Sequence, residues 1–144
     1  QTDKEIISWE QGKCMVHELY TAEDIQLTRR QFGDDVMVVS HPECDTDVTG
    51  VSDFAGSTSQ MAHYIRENPQ KNVMLVTECR MADNLRAQFP ERNFVSTCHT
   101  CPHMKRITLT KVRDALVHER VEVDVPEDIR VRAIKSVDRM LEIV

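Results

Sequence analysis

The chain has 144 residues, 40% of them hydrophobic and 29% charged, with 24 Asp and Glu against 18 Lys and Arg for a net charge of −6. That size fits one ordinary domain with a real core, or part of a larger enzyme, and leaves little room for two full domains. The composition excludes a disordered chain, the lack of any apolar run of about 18 residues excludes a membrane helix, and basic residues interspersed with acids leave nucleic-acid binding without support.

The first apolar run, residues 5–9 with Ile6, Ile7 and Trp9, reads as a strand, and such a run so soon after Gln1 points to a piece of a longer chain. A helix follows over residues 21–32, opening on the capping pair Thr21 and Asp24 and placing Ile25 and Phe32 on one broad side. Next come a strand at 36–40, a weaker one at 51–55 and a helix over 57–68 that aligns Met61 with Ile65. A strand at 73–77, a helix over 81–89 carrying Met81, Leu85 and Phe89, and a strand at 93–96 complete the alternation. Parallel neighbours require crossovers, and here the crossovers are the helices, so the expected fold is a three-layer α/β/α sandwich with a small parallel sheet of about four or five strands. From residue 107 the rhythm changes. Leu109, Val112 and Leu116 mark one amphipathic helix, Pro126 breaks the chain, and Ile129, Ala133, Val137, Met140 and Leu141 mark a second. The expected division is an α/β/α domain over residues 1–106 and a two-helix C-terminal tail over 107–144.

In an open parallel sheet the ligand site lies beyond the carboxyl ends of the strands. Cys14 and His17, His41 and Glu43, Gly56 to Ser59, Thr77 to Cys79, and Cys98 to His103 all follow predicted strands. Cys14 and His17 have a spacing that suits one metal ion, or they are a buried cysteine beside an ordinary histidine. Cys98 and Cys101 form a C-x2-C pair, read as metal ligands, redox thiols or a bare structural pair. Together the two sets could form a zinc site, although their wide separation favours a centre assembled by the whole fold, such as an iron–sulfur cluster. His41 and Glu43, stiffened by Pro42, suit proton movement in a cleft, against the plainer reading of a solvated turn. Gly56-Ser57-Thr58-Ser59 reads either as an anion cradle or as plain helix capping by Ser57 or Thr58. Cys44 and Cys79 have no spacing partner and are expected as small buried side chains; His63 and His118 are expected on the surface. Five cysteines, an odd number, and no signal-peptide pattern suggest a reducing cytoplasm.

Trp9 to His17 (WEQGKCMVH), His41 to Cys44 (HPEC), Asp53 to Ser59 (DFAGSTS), Thr77 to Cys79 (TEC) and Cys101 to Leu109 (CPHMKRITL), in that order, resemble the carboxyl-terminal part of the quinolinate synthase family. The similarity covers essentially the whole chain, with Val125 to Ile129 and Arg139 to Leu141 resembling the family's last helix. The resemblance implies three pseudo-symmetric α/β/α domains, each giving one cysteine to a [4Fe–4S] cluster. It also implies a transferase that condenses iminoaspartate with dihydroxyacetone phosphate, losing phosphate and water, to make quinolinate for NAD biosynthesis. This chain looks like the third domain plus the tail, with its first residues able to finish the preceding repeat. By motif matching, Cys14 and Cys101 are cluster ligands, the third cysteine coming from the missing amino-terminal region. His41 and Glu43 resemble the acid–base pair, His17 a substrate contact, and Ser57 and Thr58 the hydroxyls that hold a substrate carboxylate or phosphate. The implied partners are the two small substrates and the missing domains, without nucleic acid or membrane, and an apolar face on the tail or cleft rim leaves a homo-oligomer open. Some relatives carry C-x2-C-x2-C before the Pro-x-Met, whereas Val95 stands at the first position here, leaving Cys98 to pair with Cys101 or with a more distant cysteine. The rival reading from the residues alone is a stand-alone zinc-binding or thiol-redox α/β module.

Overall fold

A computed structural model describes residues 3–143 apart from 4, 8, 10, 11, 96 and 121, and the backbone but not the side chain of Asp34. The chain divides into two compact units, residues 1–105 and 106–144.

The first unit is built on a parallel sheet of four strands, β1 (Val36–Ser40), β2 (Phe54–Ala55), β3 (Asn72–Val76) and β4 (Asn93–Phe94), in the spatial order β2-β1-β3-β4. Its helices are α1 (Ala22–Phe32), α2 (Thr46–Val51), α3 (Thr58–Glu67) and α4 (Arg80–Gln88). Because strand side chains alternate between faces, one run of apolar residues feeds two cores. Met37, Val39, Val73 and Leu75 pack on one side with Met61 and Ile65 of α3 and Ala82 and Leu85 of α4. Val36, Val38, Met74 and Val76 pack on the other with Val16, Tyr20, Ile25 of α1 and Val48 of α2. Helices on both faces of a parallel sheet make the expected three-layer α/β/α sandwich.

Local chemistry fixes the helix starts. Thr21 and Asp24 form a reciprocal capping box, the Asp24 N–H donating to Thr21 Oγ1 at 3.2 Å and the Thr21 N–H to Asp24 Oδ2 at 2.8 Å. Ser57 and Gln60 repeat the device at α3, with 3.4 and 2.8 Å bonds. Tyr20 immediately before the Thr21 cap and Ile25 beyond the first turn share one buried cluster, the arrangement of a hydrophobic staple. At the edge of β1, the Asp53 carboxylate accepts the Val38 N–H at 2.7 Å and pairs with Arg29 at 2.9 Å, so a polar group completes the ladder just before β2 begins. Gly56, where the chain leaves β2, leaves no room for a side chain unless the Phe54 ring moves: an added Cβ would lie 2.5 Å from Cε1 of Phe54, whose ring stacks on Tyr64.

The amino ends of the strands are braced by Arg92. Its guanidinium donates to the carbonyls of Gln70 and, at 3.4 Å, Ile65, while the Asn93 N–H bonds Lys71 O at 2.8 Å.

Three expectations are corrected. Residues 5–7 and 9 form no strand, and Ser8 lies outside the described residues. An apolar run becomes a strand only where a neighbour offers an open ladder, and Ile6 and Ile7 are exposed instead. The expected strand at 51–55 shrinks to Phe54–Ala55, because Val51 ends the helix α2, whose single buried apolar residue, Val48, left no helical period to read. The expected strand at 93–96 is confined to Asn93–Phe94; Val95 lies beyond it, and Ser96 falls outside the described residues.

The second unit contains α5 (Leu109–His118), capped by the Thr108 hydroxyl, and α6 (Glu127–Ile143), whose Ile129 and Arg130 N–H groups bond Pro126 O. These are the two helices expected of the tail. No helix among the described residues is long and apolar enough to cross a membrane.

Candidate active site

From β1 the chain first adds β2 on one flank and then crosses to β3 on the other. The direction of winding therefore reverses between β1 and β3, and a crevice opens where their carboxyl ends part. A cavity of about 500 Å³ lies there. His41 and Glu43 reach it from the end of β1, Thr58 from the start of α3, and Thr77, Glu78 and Arg80 from the β3–α4 corner. Cys14, Val16 and His17 enter from the segment before α1, and Cys101 and Met104 from the segment after β4. Six of the seven residues singled out in the sequence thus face one space. The seventh, Ser57, is not in the lining; its Oγ accepts the Gln60 N–H as the α3 cap.

His17, only 6% exposed, is the hub. Its Nδ1 lies 3.0 Å from Glu43 Oε2, and its Nε2 lies 3.0 Å from Thr77 Oγ1. A carboxylate only accepts, so Glu43 assigns the proton to Nδ1, and the neutral ring's Nε2 accepts from the Thr77 hydroxyl. Burial first, and then the neighbouring His41, hold the His17 imidazole below its ordinary titration range, with Glu43 pulling the other way. His41 stacks on His17 with ring centroids 4.4 Å apart. The Glu43 N–H donates to His41 Nδ1 at 3.3 Å, which leaves Nε2 as the protonated nitrogen of a neutral His41 ring. Glu43 Oε2 lies 3.7 Å from His41 Nδ1, near but not bonded to it, so the carboxylate bonds His17 while the Glu43 backbone N–H holds His41.

Donor atoms of Cys14, His17 and Glu43 lie within 4.8 Å of one another. Such a trio could hold a metal ion, yet both His17 nitrogens already have partners inside the chain. The free thiols facing the cavity are those of Cys14 and Cys101, both half-buried. The two thiols could each supply a soft donor to a metal centre that takes further ligands from elsewhere.

Cys98 does not join them. It forms a disulfide with Cys79, 19 positions away, which corrects the expectation that Cys79 is a small buried side chain without a partner. Cys44 is buried as expected, its thiol pushed up to about 11 by burial. The sequence reading left Tyr20 and Arg80 without a role and did not separate Thr77 and Glu78 from their neighbours. Tyr20 alone had a legible signal, the apolar residue one place before a helix cap.

A doubly wound α/β/α unit with thiols, stacked imidazoles and a carboxylate at its switch point belongs to the class of open α/β proteins whose ligand crevice lies at the carboxyl edge of the sheet. The model of the Quinolinate synthetase A protein (NadA) family matches residues 1–142, and the chain belongs to that family. It is 48% identical over 143 residues to a quinolinate synthase of Xylella fastidiosa (strain 9a5c), covering 99% of this chain and 42% of the relative. Quinolinate synthase 2 of Mesorhizobium japonicum is 46% identical, covering 99% of this chain and 44% of that protein. For a quinolinate synthase of Caulobacter vibrioides (strain NA1000 / CB15N) the values are 44%, 99% and 38%. The chain therefore spans about two fifths of the length of these curated relatives.

Proposed function

We propose that this chain is the carboxyl-terminal portion of a cytoplasmic quinolinate synthase. The enzyme condenses iminoaspartate with dihydroxyacetone phosphate, releasing phosphate and water, to form quinolinate on the way to NAD. The observation that carries the reading is the convergence of two free thiols and the His41–Glu43 pair on one cavity, in a chain of this family. Cys14 and Cys101 would hold two corners of a [4Fe–4S] cluster, with a third cysteine from polypeptide outside this sequence. When bound, such a cluster supplies an iron with an open position, a Lewis acid for a substrate hydroxyl or carboxylate.

The chain's own residues do the rest. His41, with its proton on Nε2, donates to a departing oxygen, and the Glu43 carboxylate accepts a proton from carbon or nitrogen. The two groups stand side by side on the cavity wall, Oε2 3.7 Å from Nδ1, so one site holds both a proton donor and a proton acceptor. His17 holds Glu43 at a fixed angle and presents its ring to the substrate from the cavity wall. Thr58, at the start of α3, offers a hydroxyl and a free helix N–H to a substrate phosphate or carboxylate, and the capping role of Ser57 keeps that end of the helix in place. The domain division belongs to the same reading: the α/β/α unit completes the site with the remaining domains of the enzyme, and the helical tail follows it.

The test is the full-length protein purified without oxygen. It is expected to be brown, to contain iron and sulfide, and to make quinolinate from the two substrates, with Cys14→Ser and Cys101→Ser each losing most of the iron. A colourless protein with stoichiometric zinc would overturn the reading in favour of a zinc-binding or thiol-redox module. In that case replacing His17 would abolish metal binding, whereas the cluster reading expects assembly to survive it.

A further inference from the structure

We propose that Tyr20 is a positioning residue, a clasp whose hydroxyl fixes the strand-end loop that orients His17 against the loop that presents Cys101. The ring is 2% exposed, anchored in the core with Ile25 and Val76. Its hydroxyl donates to Thr77 O at 2.6 Å and also lies 3.3 Å from Thr97 O. Thr77 is the residue whose side chain bonds His17 Nε2 at 3.0 Å, and Thr97 lies on the segment leading to Cys101. The phenol ring further meets the His99 ring in a T-shaped contact, at 87° with centroids 4.7 Å apart. One side chain, rooted before α1, thus touches both segments. The two segments are also joined directly, by the Cys79–Cys98 disulfide, the Cys79 N–H to His99 O at 3.1 Å and the Cys101 N–H to Glu78 Oε1 at 3.4 Å; Tyr20 adds the tie that runs from both of them to the segment carrying His17. A hydroxyl has one proton, so its bond to Thr77 is the stronger, and Thr97 takes the remainder of a bifurcated interaction. Thr77 is buried as well, so water is poorly placed to replace the lost donor.

The catalytic part of this inference rests on the proposed function; the structural part does not. The experiment uses full-length protein and the variants Tyr20→Phe and Thr77→Val. Three quantities are read: the alkylation rate of Cys101 relative to Cys14 in cluster-free protein, the nitrogen NMR shifts of the His17 ring, and quinolinate synthesis by the loaded enzyme. Tyr20→Phe is expected to speed Cys101 alkylation several-fold over Cys14, to move the His17 Nε2 signal, and to lower kcat about tenfold with KM little changed, the factor that corresponds to one buried hydrogen bond. Thr77→Val is expected to move the His17 signal alone. Unchanged Cys101 alkylation and an unchanged His17 signal in Tyr20→Phe would overturn the proposal. Should that variant not fold, the unmutated protein decides: a slowly exchanging Tyr20 hydroxyl proton close to Thr97 and His99 supports the clasp, and a freely exchanging one overturns it. A wild-type enzyme that makes no quinolinate sinks the proposed function and leaves the alkylation and NMR results to judge Tyr20.

Discussion

Opening the Cys79–Cys98 disulfide is expected to cost the fold about 3 kcal/mol. The cysteines are 19 positions apart, so the crosslink closes a loop of about 20 residues in the unfolded chain, and loop-closure entropy for that length gives about 3 kcal/mol at 25 °C. Little native packing is lost with it, because Cys79 is half-buried and Cys98 is exposed. The effect therefore acts mainly through the unfolded state, and serine at both positions should reproduce it. Urea unfolding of oxidised protein, reduced protein and the Cys79→Ser/Cys98→Ser variant measures this directly. Oxidised protein should unfold at the highest denaturant concentration, the other two together at a lower one. Thiol titration of unfolded, oxidised protein should find three free thiols, those of Cys14, Cys44 and Cys101. Coincident unfolding curves, or all five thiols free, would refute the reasoning.

Gly56→Ala should destabilise by about 1–3 kcal/mol, since the new methyl meets the Phe54 ring at 2.5 and 2.7 Å and must displace a stacked pair; thermal unfolding checks it, and an unchanged midpoint counts against the packing described. Leu85→Ala, at 2% exposure in the core between α4 and the sheet, should cost about 2–5 kcal/mol in the same assay. Cys44, its thiol pushed up to about 11 by burial, should resist iodoacetamide at pH 8 while Cys14 and Cys101 of cluster-free protein react, as peptide mass spectrometry would show. His17 is held neutral more firmly in the folded protein than in the unfolded one, so the unfolded state takes up the proton first as pH falls. Stability should therefore decline between about pH 7 and 5.5, above the main carboxylate range, and His17→Gln should flatten that decline in melting curves taken across the interval.

What the sequence disclosed was whatever leaves a periodic or a capping mark. The apolar runs of β1 and β3, the Thr21–Asp24 box and the steps of Met61 to Ile65 are local facts, and they survive folding because the sheet buries both faces. The strand-end rule placed His41, Glu43, Thr58 and Cys101 together with no knowledge of distance, whereas Cys14 and His17 reach the same cavity although the strand expected before them does not form. It failed where a property belongs to a pair. Cys79 and Cys98 become partners only when the β3–α4 corner approaches the segment after β4. The α2 helix is too short to show a period, and Ile6 and Ile7 look like strand residues because hydrophobicity alone cannot report whether a neighbouring ladder exists. Tyr20 was readable in principle, but a staple announces burial and says nothing about which carbonyls a buried hydroxyl will find.

The Arg92 brace gives the α/β unit a sealed pole opposite its open one. Its guanidinium draws α3 and the lead-in to β3 together at the amino ends of the strands, so a change there tests whether the scaffold assembles at all. Changes at the far rim instead leave an intact scaffold whose chemistry can be re-lined residue by residue. An engineer wanting a new ligand would work at the rim, and one wanting a sturdier scaffold would begin with the arginine.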